Sequence, residues 1–446
     1  MHRFIASRTL NNYPQGRYRW TLVGLTVLAS IATAYPFQLA PLLPILLPYL
    51  GMSHSAYGLF FTFAILCGAA TALYGGPLAD RLGRVVLIDI CLGAAIVLVF
   101  LNLLITNIVT FVVIRTAMAL VSGLMASAGA ALVRDMSPRM SRALAFGLFT
   151  LGPVGASFLA NFIAGATLPI WHTWQSQIWI MGIIMALLYV PIFAWLKDLS
   201  PVLRLQIFRD EIAALEARGK LPKASEVPSS TRAAFAALLG HPEIWLLVIA
   251  VAASLTMIFT LTAFGPLMFT EAFGYSPAEA ARLNAYFWLA NAAALVVTGY
   301  VSDRLQMRKP IAIAGGVCAT FVMGWWISTF SSPLEPTSMA ILATVLGCFF
   351  AMGYVPWAAQ FSETLEDLAP ALQATGWSLF ALVFRGWIAV SAPLTLYVAV
   401  HYGWAAWAKV ALGGTVMFVV VMLFTRRHGA AVATVAHEAP SAGGGN

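Results

Sequence analysis

The sequence predicts an all-α membrane protein of twelve transmembrane helices, arranged as two pseudo-symmetric bundles of six. Three observations carry this prediction. The composition is too apolar for a water-facing surface, the basic residues are sorted to one side, and a short motif recurs at half the chain length.

Of 446 residues, 61% are hydrophobic and 9% are charged. An average soluble domain is roughly 25% charged. So few charges cannot coat a soluble particle of this size. The apolar residues gather in blocks about as long as a helix needs to cross roughly 30 Å of hydrocarbon. Strands of a membrane barrel would instead alternate polar and apolar residues over about ten positions. Helices are therefore predicted near residues 20–50, 55–77, 84–105, 108–133, 143–168, 176–197, 243–270, 280–302, 310–330, 337–362, 371–400 and 402–425.

With the N-terminus inside, all but four of the 25 Lys and Arg residues fall in cytosolic segments. Arg282 and Lys409 lie at outer helix ends, and Arg115 and Arg385 fall within helices. Shifting the helix count by one would destroy this split, which is what the positive-inside rule demands. The net charge of +8 thus records topology and implies no nucleic-acid partner. Both termini are expected in the cytoplasm, with the chain multi-pass in a plasma membrane, the inner membrane of a bacterium. Cys67, Cys91, Cys318 and Cys348 lie inside predicted spans without metal-ligand spacing and read as packing residues. The first 19 residues are polar and basic, and the span after them is too long for a signal core. That span is expected to act as its own uncleaved membrane signal.

These elements divide the chain into a cytosolic segment 1–19, a first bundle 20–197, a linker 198–240, a second bundle 241–427 and a disordered tail 428–446. Within the linker, Leu205, Phe208, Ile212 and Leu215 recur at helical spacing among charged residues. They suit an amphipathic helix on the membrane surface and equally a solvated helical connector.

After the second helix the chain reads Gly76-Pro-Leu-Ala-Asp80-Arg81-Leu-Gly83-Arg84, and after the eighth Gly299-Tyr-Val-Ser-Asp303-Arg304-Leu-Gln-Met-Arg308-Lys309. Each motif sits between the second and third helices of its half. Internal repeats of this kind mark secondary transporters, whose site lies between the halves near the midplane. The first motif resembles the helix 2–3 signature of the major facilitator superfamily, with Val85 where a basic residue often follows. Arg115 with Gly123 loosely resembles the helix 4 signature. Gly152-Pro153-Val154-Gly155 resembles the Gly-Pro motif of the family's antiporters, with one residue instead of two between Pro and Gly. The resemblance implies that helices 1, 4, 7 and 10 line a pathway, flanked by 2, 5, 8 and 11. It also implies a charge cluster at the inner gate. Here Gly76, Asp80, Arg81, Gly83 and Arg84, with Asp303 and Arg304, would face the carboxylates Glu363, Glu366 and Asp367 of the helix 10–11 loop. Solvated loops that merely set topology would give the same pattern.

Arg385 lies roughly 21 Å along helix 11 and Arg115 roughly 10 Å inside the outer end of helix 4. A charge at such depth needs a partner or a watery cavity. None of the 17 Asp and Glu residues lies deep in a predicted span, Asp89 being near the cytosolic end of its own. An anionic ligand would supply the missing charge, since a guanidinium suits a carboxylate bidentately. Bonding to backbone carbonyls or reaching outward to water would also satisfy these arginines. Gln38 and Asn291 could donate amide hydrogens to a carboxylate, and Tyr35 and Trp357 could complete a cavity. Each could equally serve interhelical packing. Pro36, Pro266 and Pro356 are expected to loosen helices near the midplane.

No His-Glu-xx-His pair, Gly-x-Ser-x-Gly elbow or phosphate-binding loop is present, so neither an enzyme, a cofactor nor a metal is expected. The reading that follows is a monomeric secondary transporter of a small organic anion by alternating access, by proton symport or exchange with a counter-anion. A proton-coupled drug or metabolite exporter is the alternative, weakened by the lack of a carboxylate in helices 1, 4, 5 and 7. A sensor or scaffold on a transporter-like body stays open, and would show no saturable uptake.

Overall fold

The computed structural model describes residues 8–136, 142–200, 202–204, 206–207, 209, 236–238, 240–332, 334–368 and 373–425. Twelve helical spans long and apolar enough to cross a membrane run through them. They are numbered here in chain order. Apolar side chains on their outer surfaces stay exposed, among them Leu73, Phe321 and Phe424 (77%, 75% and 85%). In a bilayer these positions meet lipid.

Span 1 is discontinuous. It runs as Gly16–Ala34, unwinds through the short 3-10 turns Tyr35–Phe37 and Ala40–Leu42, and resumes at Leu43–Leu50. Pro36, Pro41 and Pro44 lack the amide hydrogens a continuous helix would need there. The sequence led us to expect one loosened helix; several closely spaced prolines break it outright. Span 7 breaks too, at Leu255 between Pro242–Ser254 and Thr256–Phe273. This corrects the expectation for Pro266, which lies inside the continuous second piece. Pro356 likewise sits within unbroken span 10, Pro336–Leu368.

Span 2, His54–Leu82, turns into span 3, Arg84–Leu101, at the single residue Gly83. Its φ of 93° is a conformation that side chains with a Cβ rarely adopt. The repeat turns at the same place with a different backbone, two residues long and left-handed helical (ψ 31°) where Gly83 is extended (ψ 144°). Between span 8, Pro277–Leu305, and span 9, Arg308–Ser328, the equivalent residue is Gln306, also at positive φ (53°). Its side-chain amide donates to the Asp303 carbonyl at 2.6 Å.

Spans 4 (Ile108–Met136), 5 (Arg142–Trp171) and 6 (Trp174–Trp195) complete the first bundle. Spans 11 (Gln373–Tyr402) and 12 (Trp404–Phe424) complete the second with span 10. Where spans 2 and 4 cross, a Cβ on Gly123 would collide with the Gly68 carbonyl, so the two backbones nearly touch. Spans 5 and 8 form the main seam between bundles, and spans 2 and 11 a second.

A two-stranded parallel sheet closes the face that carries the linker. Thr9–Leu10 (β1) pairs with Asp198–Leu199 (β2), register Thr9↔Asp198. Asp198 also accepts from the Arg84 amide at 2.8 Å and pairs with Arg204 at 2.8 Å. Arg8 sits over the Phe193 ring and pairs with buried Asp89 at 2.8 Å, by charge and without hydrogen-bond alignment. The N-terminal segment is thereby strapped beneath the first bundle. In the linker, the described residues 202–204, 206–207 and 209 are helical, and the rest of the expected Val202–Lys220 helix lies outside the described residues.

Candidate functional site in the bundle interior

The break in span 1 leaves backbone carbonyls without helical donors, and Arg115 answers them. From span 4, its Nη1 donates to the Pro36 carbonyl at 3.4 Å and its Nη2 to Phe37 at 3.3 Å. Arg115 is buried, with Tyr57 beside it. Of the two alternatives open to it in sequence, the structure uses backbone carbonyls. Tyr35, Gln38 and Arg115 thus meet at one place, the unwound segment.

Gln38 presents its Oε1 to the Ser157 hydroxyl at 3.1 Å, and its Nε2 makes no hydrogen bond among the described residues. From Ser157 a polar line crosses the bundle. Asn161 donates to the Ser157 carbonyl at 2.8 Å, and Asn284 of span 8 donates to the Asn161 side-chain oxygen at 3.1 Å. That last bond joins the two bundles. In sequence, Asn284 is among the helix 8 groups that could complete a cavity, whereas Asn161 gives no signal, since an amide inside an apolar helix reads as generic packing.

Arg385 is partly buried on span 11 and makes no hydrogen bond or ion pair among the described residues. Two residues on, the Trp387 indole donates to the Thr256 hydroxyl at 2.9 Å, bracing the break in span 7. Each broken span is therefore held by a neighbour: span 1 by Arg115, span 7 by Trp387. Asn291 donates to the Gly347 carbonyl at 2.9 Å, fastening span 8 to span 10. Trp357, a candidate to complete a cavity, packs in the core of the second bundle in this structure. It is fully buried, stacked on Phe361 with centroids 5.3 Å apart and planes at 8°. An all-apolar span gives no sequence signal for which of its faces meets the core.

At the linker face the ion pairs among the described residues each lie within one bundle. Arg308 gathers Asp303 (2.7 Å), Glu363 (3.2 Å) and the Ser302 hydroxyl (3.0 Å). Arg84 is buried in the first bundle, Arg81 is exposed, and Arg304 donates to the Tyr300 hydroxyl at 3.0 Å. Glu363 therefore does not meet Arg81 or Arg84 in this state. The side chains of Asp80, Glu366 and Asp367 and the surroundings of Gly76 lie outside the described residues, and Gly83 makes the turn between spans 2 and 3.

The far face differs. There rings from both bundles interlock: Tyr57 against Phe264 (6.2 Å) and Phe61 against Phe259 (5.8 Å) and Phe264 (5.9 Å). Thr62 donates to the Ala389 carbonyl at 2.8 Å, and Arg282 to the Gly165 carbonyl at 3.3 Å. His54 and Glu271 join the bundles above them at 2.7 Å. Among the described residues, ring and polar contacts join the bundles at the far face, and no ion pair joins them at the linker face.

Two bundles of membrane-spanning helices that meet along spans 5 and 8 and along spans 2 and 11 have the architecture of a membrane carrier. The sequence profile of the Major Facilitator Superfamily matches residues 22–393, and the chain belongs to that family. It is a transporter and not an enzyme. Over 328 residues it is 24% identical to a gallate transporter of Pseudomonas putida, covering 69% of this chain and 72% of that one. Over 148 residues it is 32% identical to multidrug resistance protein MdtG of Enterobacter lignolyticus, a match spanning 32% of this chain and only 35% of that protein. Among solved structures, it shares its fold with a bacterial homolog of the human lysosomal transporter Spinster in an inward-facing, unoccupied conformation. The TM-score is 0.59 at 16% identity, covering 92% of this chain and 95% of that one.

Proposed function

We propose that this chain carries a small organic anion, a carboxylate, by alternating access, in symport with a proton or in exchange for a counter-anion. One observation carries the reading: Arg385 lies deep in span 11 without a partner among the described residues, and the carboxylates near it in the fold are at the membrane faces. An anion would complete the charge, and the open amide end of Gln38 could donate to its second oxygen. The similarity to a gallate transporter agrees with a carboxylate. In this reading the linker face is cytosolic, in a plasma membrane, and the monomer is the working unit. The state seen is then the one closed on the far face. On closing the linker face, Glu363, Glu366 and Asp367 would meet the span 2–3 arginines, which requires Glu363 to leave Arg308.

A second reading, efflux of drug-like compounds, is favoured by the MdtG-like segment and by Gly152 in span 5. A Cβ there would press Ser30 of span 1 at 2.7 Å. The close approach of spans 1 and 5 is a packing demand that either function meets.

The test is uptake into proteoliposomes of purified protein, driven separately by a pH gradient, a voltage and a preloaded counter-anion. Carboxylates should be taken up saturably, and Arg385→Ala should cut uptake at least about tenfold, the effect of roughly 1.4 kcal/mol of lost binding. Normal anion uptake by folded Arg385→Ala protein would sink the site assignment. A thermal-shift screen against organic acids and cationic drugs separates the two readings, since ligands of the folded state raise its melting temperature.

A further inference from the structure

Above the ring cluster, the far face carries a cleft of about 470 Å³ between the end of span 1 and the end of span 7. Across it, His54 Nε2 at the start of span 2 lies 2.7 Å from Glu271 Oε1 at the end of span 7. The second Glu271 oxygen accepts from the Trp404 indole at 2.9 Å, which fixes the carboxylate to span 12 of its own bundle. One side of the contact is thus braced and the other is a titratable ring. We propose that His54 and Glu271 form the latch that holds the far face shut, and that the pH of the solution on that side sets its strength.

The surrounding groups leave the imidazole as the variable element. Tyr275, beside the cleft, donates to the Leu334 carbonyl at 2.5 Å, and burial first, then Glu279, raises its pKa, keeping it neutral. Glu279 is engaged in a capping box with Ser276, and Arg282 donates to the Gly165 carbonyl. On span 11, His401 Nδ1 pairs with the Tyr397 carbonyl of its own helix. Tyr49 packs on Trp174, and Lys409 and Tyr402 are exposed. Among the described residues, His54 is the cation within ion-pair distance of Glu271.

Histidine changes charge within the physiological range, so acid turns a hydrogen bond into an ion pair. Both side chains are about one-third exposed (29% and 36%), so water and salt screen the pair. The expected effect is a roughly two- to fivefold change in the ratio of far-face-closed to far-face-open molecules. The same exposure has a second consequence. In the closed state His54 exchanges its proton with the far-face solution, so that proton does not cross the membrane with the substrate. The latch tunes the rate of the cycle and adds nothing to its driving force.

The inference rests on the alternating-access reading and not on the identity of the substrate. It is tested without substrate, by distance distributions between spin labels at exposed Ser55 of span 2 and Tyr402 of span 11, with the native cysteines replaced. Raising the pH from about 5 to about 8 should increase the long-distance population roughly two- to fivefold. His54→Gln and Glu271→Gln, which keep hydrogen-bonding ends but cannot form the ion pair, should flatten that dependence. In proteoliposomes the same variants should change the initial rate and leave the final accumulation ratio as in the wild type. A single distance under all conditions would overturn the rocking reading and the latch with it. Two populations whose ratio follows pH unchanged in both variants would overturn the latch alone.

Discussion

Truncating Arg115 would leave the Pro36 and Phe37 carbonyls without donors in a buried site. Unmet buried acceptors cost about 1–3 kcal/mol each, and the long 3.3–3.4 Å contacts place this case at the low end. We expect Arg115→Ala to lower the melting temperature and reduce transport whatever the substrate. Arg115→Lys, a point charge without the fork, should recover part of the stability. A variant with unchanged melting temperature and altered substrate selectivity would move Arg115 to the ligand. Both membrane arginines were legible in sequence as costly charges. Their different fates were not, because the carbonyls that satisfy Arg115 exist only once span 1 has unwound. For the same reason the pairing of His54 with Glu271, 217 residues apart, had no sequence signal.

Among the elements, the repeated turn is the clearest case of sequence encoding shape. The motif spacing predicted a tight reversal after spans 2 and 8, and both occur, one on a glycine and one on Gln306. Gly83→Ala should cost about 1–3 kcal/mol, because φ 93° with ψ 144° is a backbone conformation essentially reserved for glycine. Gln306→Gly relieves the strain of a left-handed residue carrying a Cβ but loses the side-chain bond to Asp303, so it should be near neutral, whereas Gln306→Ala keeps the strain, loses the bond and should destabilise. Equal melting temperatures for the glycine and alanine variants at 306 would contradict this account. The breaks were less legible. Clustered prolines flagged span 1, but span 7 parts at Leu255, where no proline stands, held by Trp387 from another helix.

Across the whole molecule, charge sorting and apolar length made the twelve spans legible, because both are set by the bilayer and need no tertiary knowledge. How the termini and linker dock needed the structure. The pair of Arg8 and Asp89 is buried (8% and 5% exposed), and breaking such a pair from one side costs about 3–5 kcal/mol. Asp89→Asn, which keeps the shape and removes the charge, should therefore lower the melting temperature clearly. Combining it with Arg8→Gln should recover part of the loss, and strictly additive losses would show that the two residues do not act as a pair.

The strap has a consequence for how the chain is made. Thr9 and Leu10 leave the ribosome well before their partners Asp198 and Leu199, which follow the sixth span. The first strand must wait, unpaired, through the synthesis of an entire bundle. When β2 appears, the strap can form, Asp198 can cap the start of span 3, and the first bundle is fastened while the second is still to be inserted. Domains made in sequence fold most safely when each is complete before the next begins. Here the pairing that ties the first bundle to its own leading segment needs nothing from the second bundle, so it can form before that bundle exists.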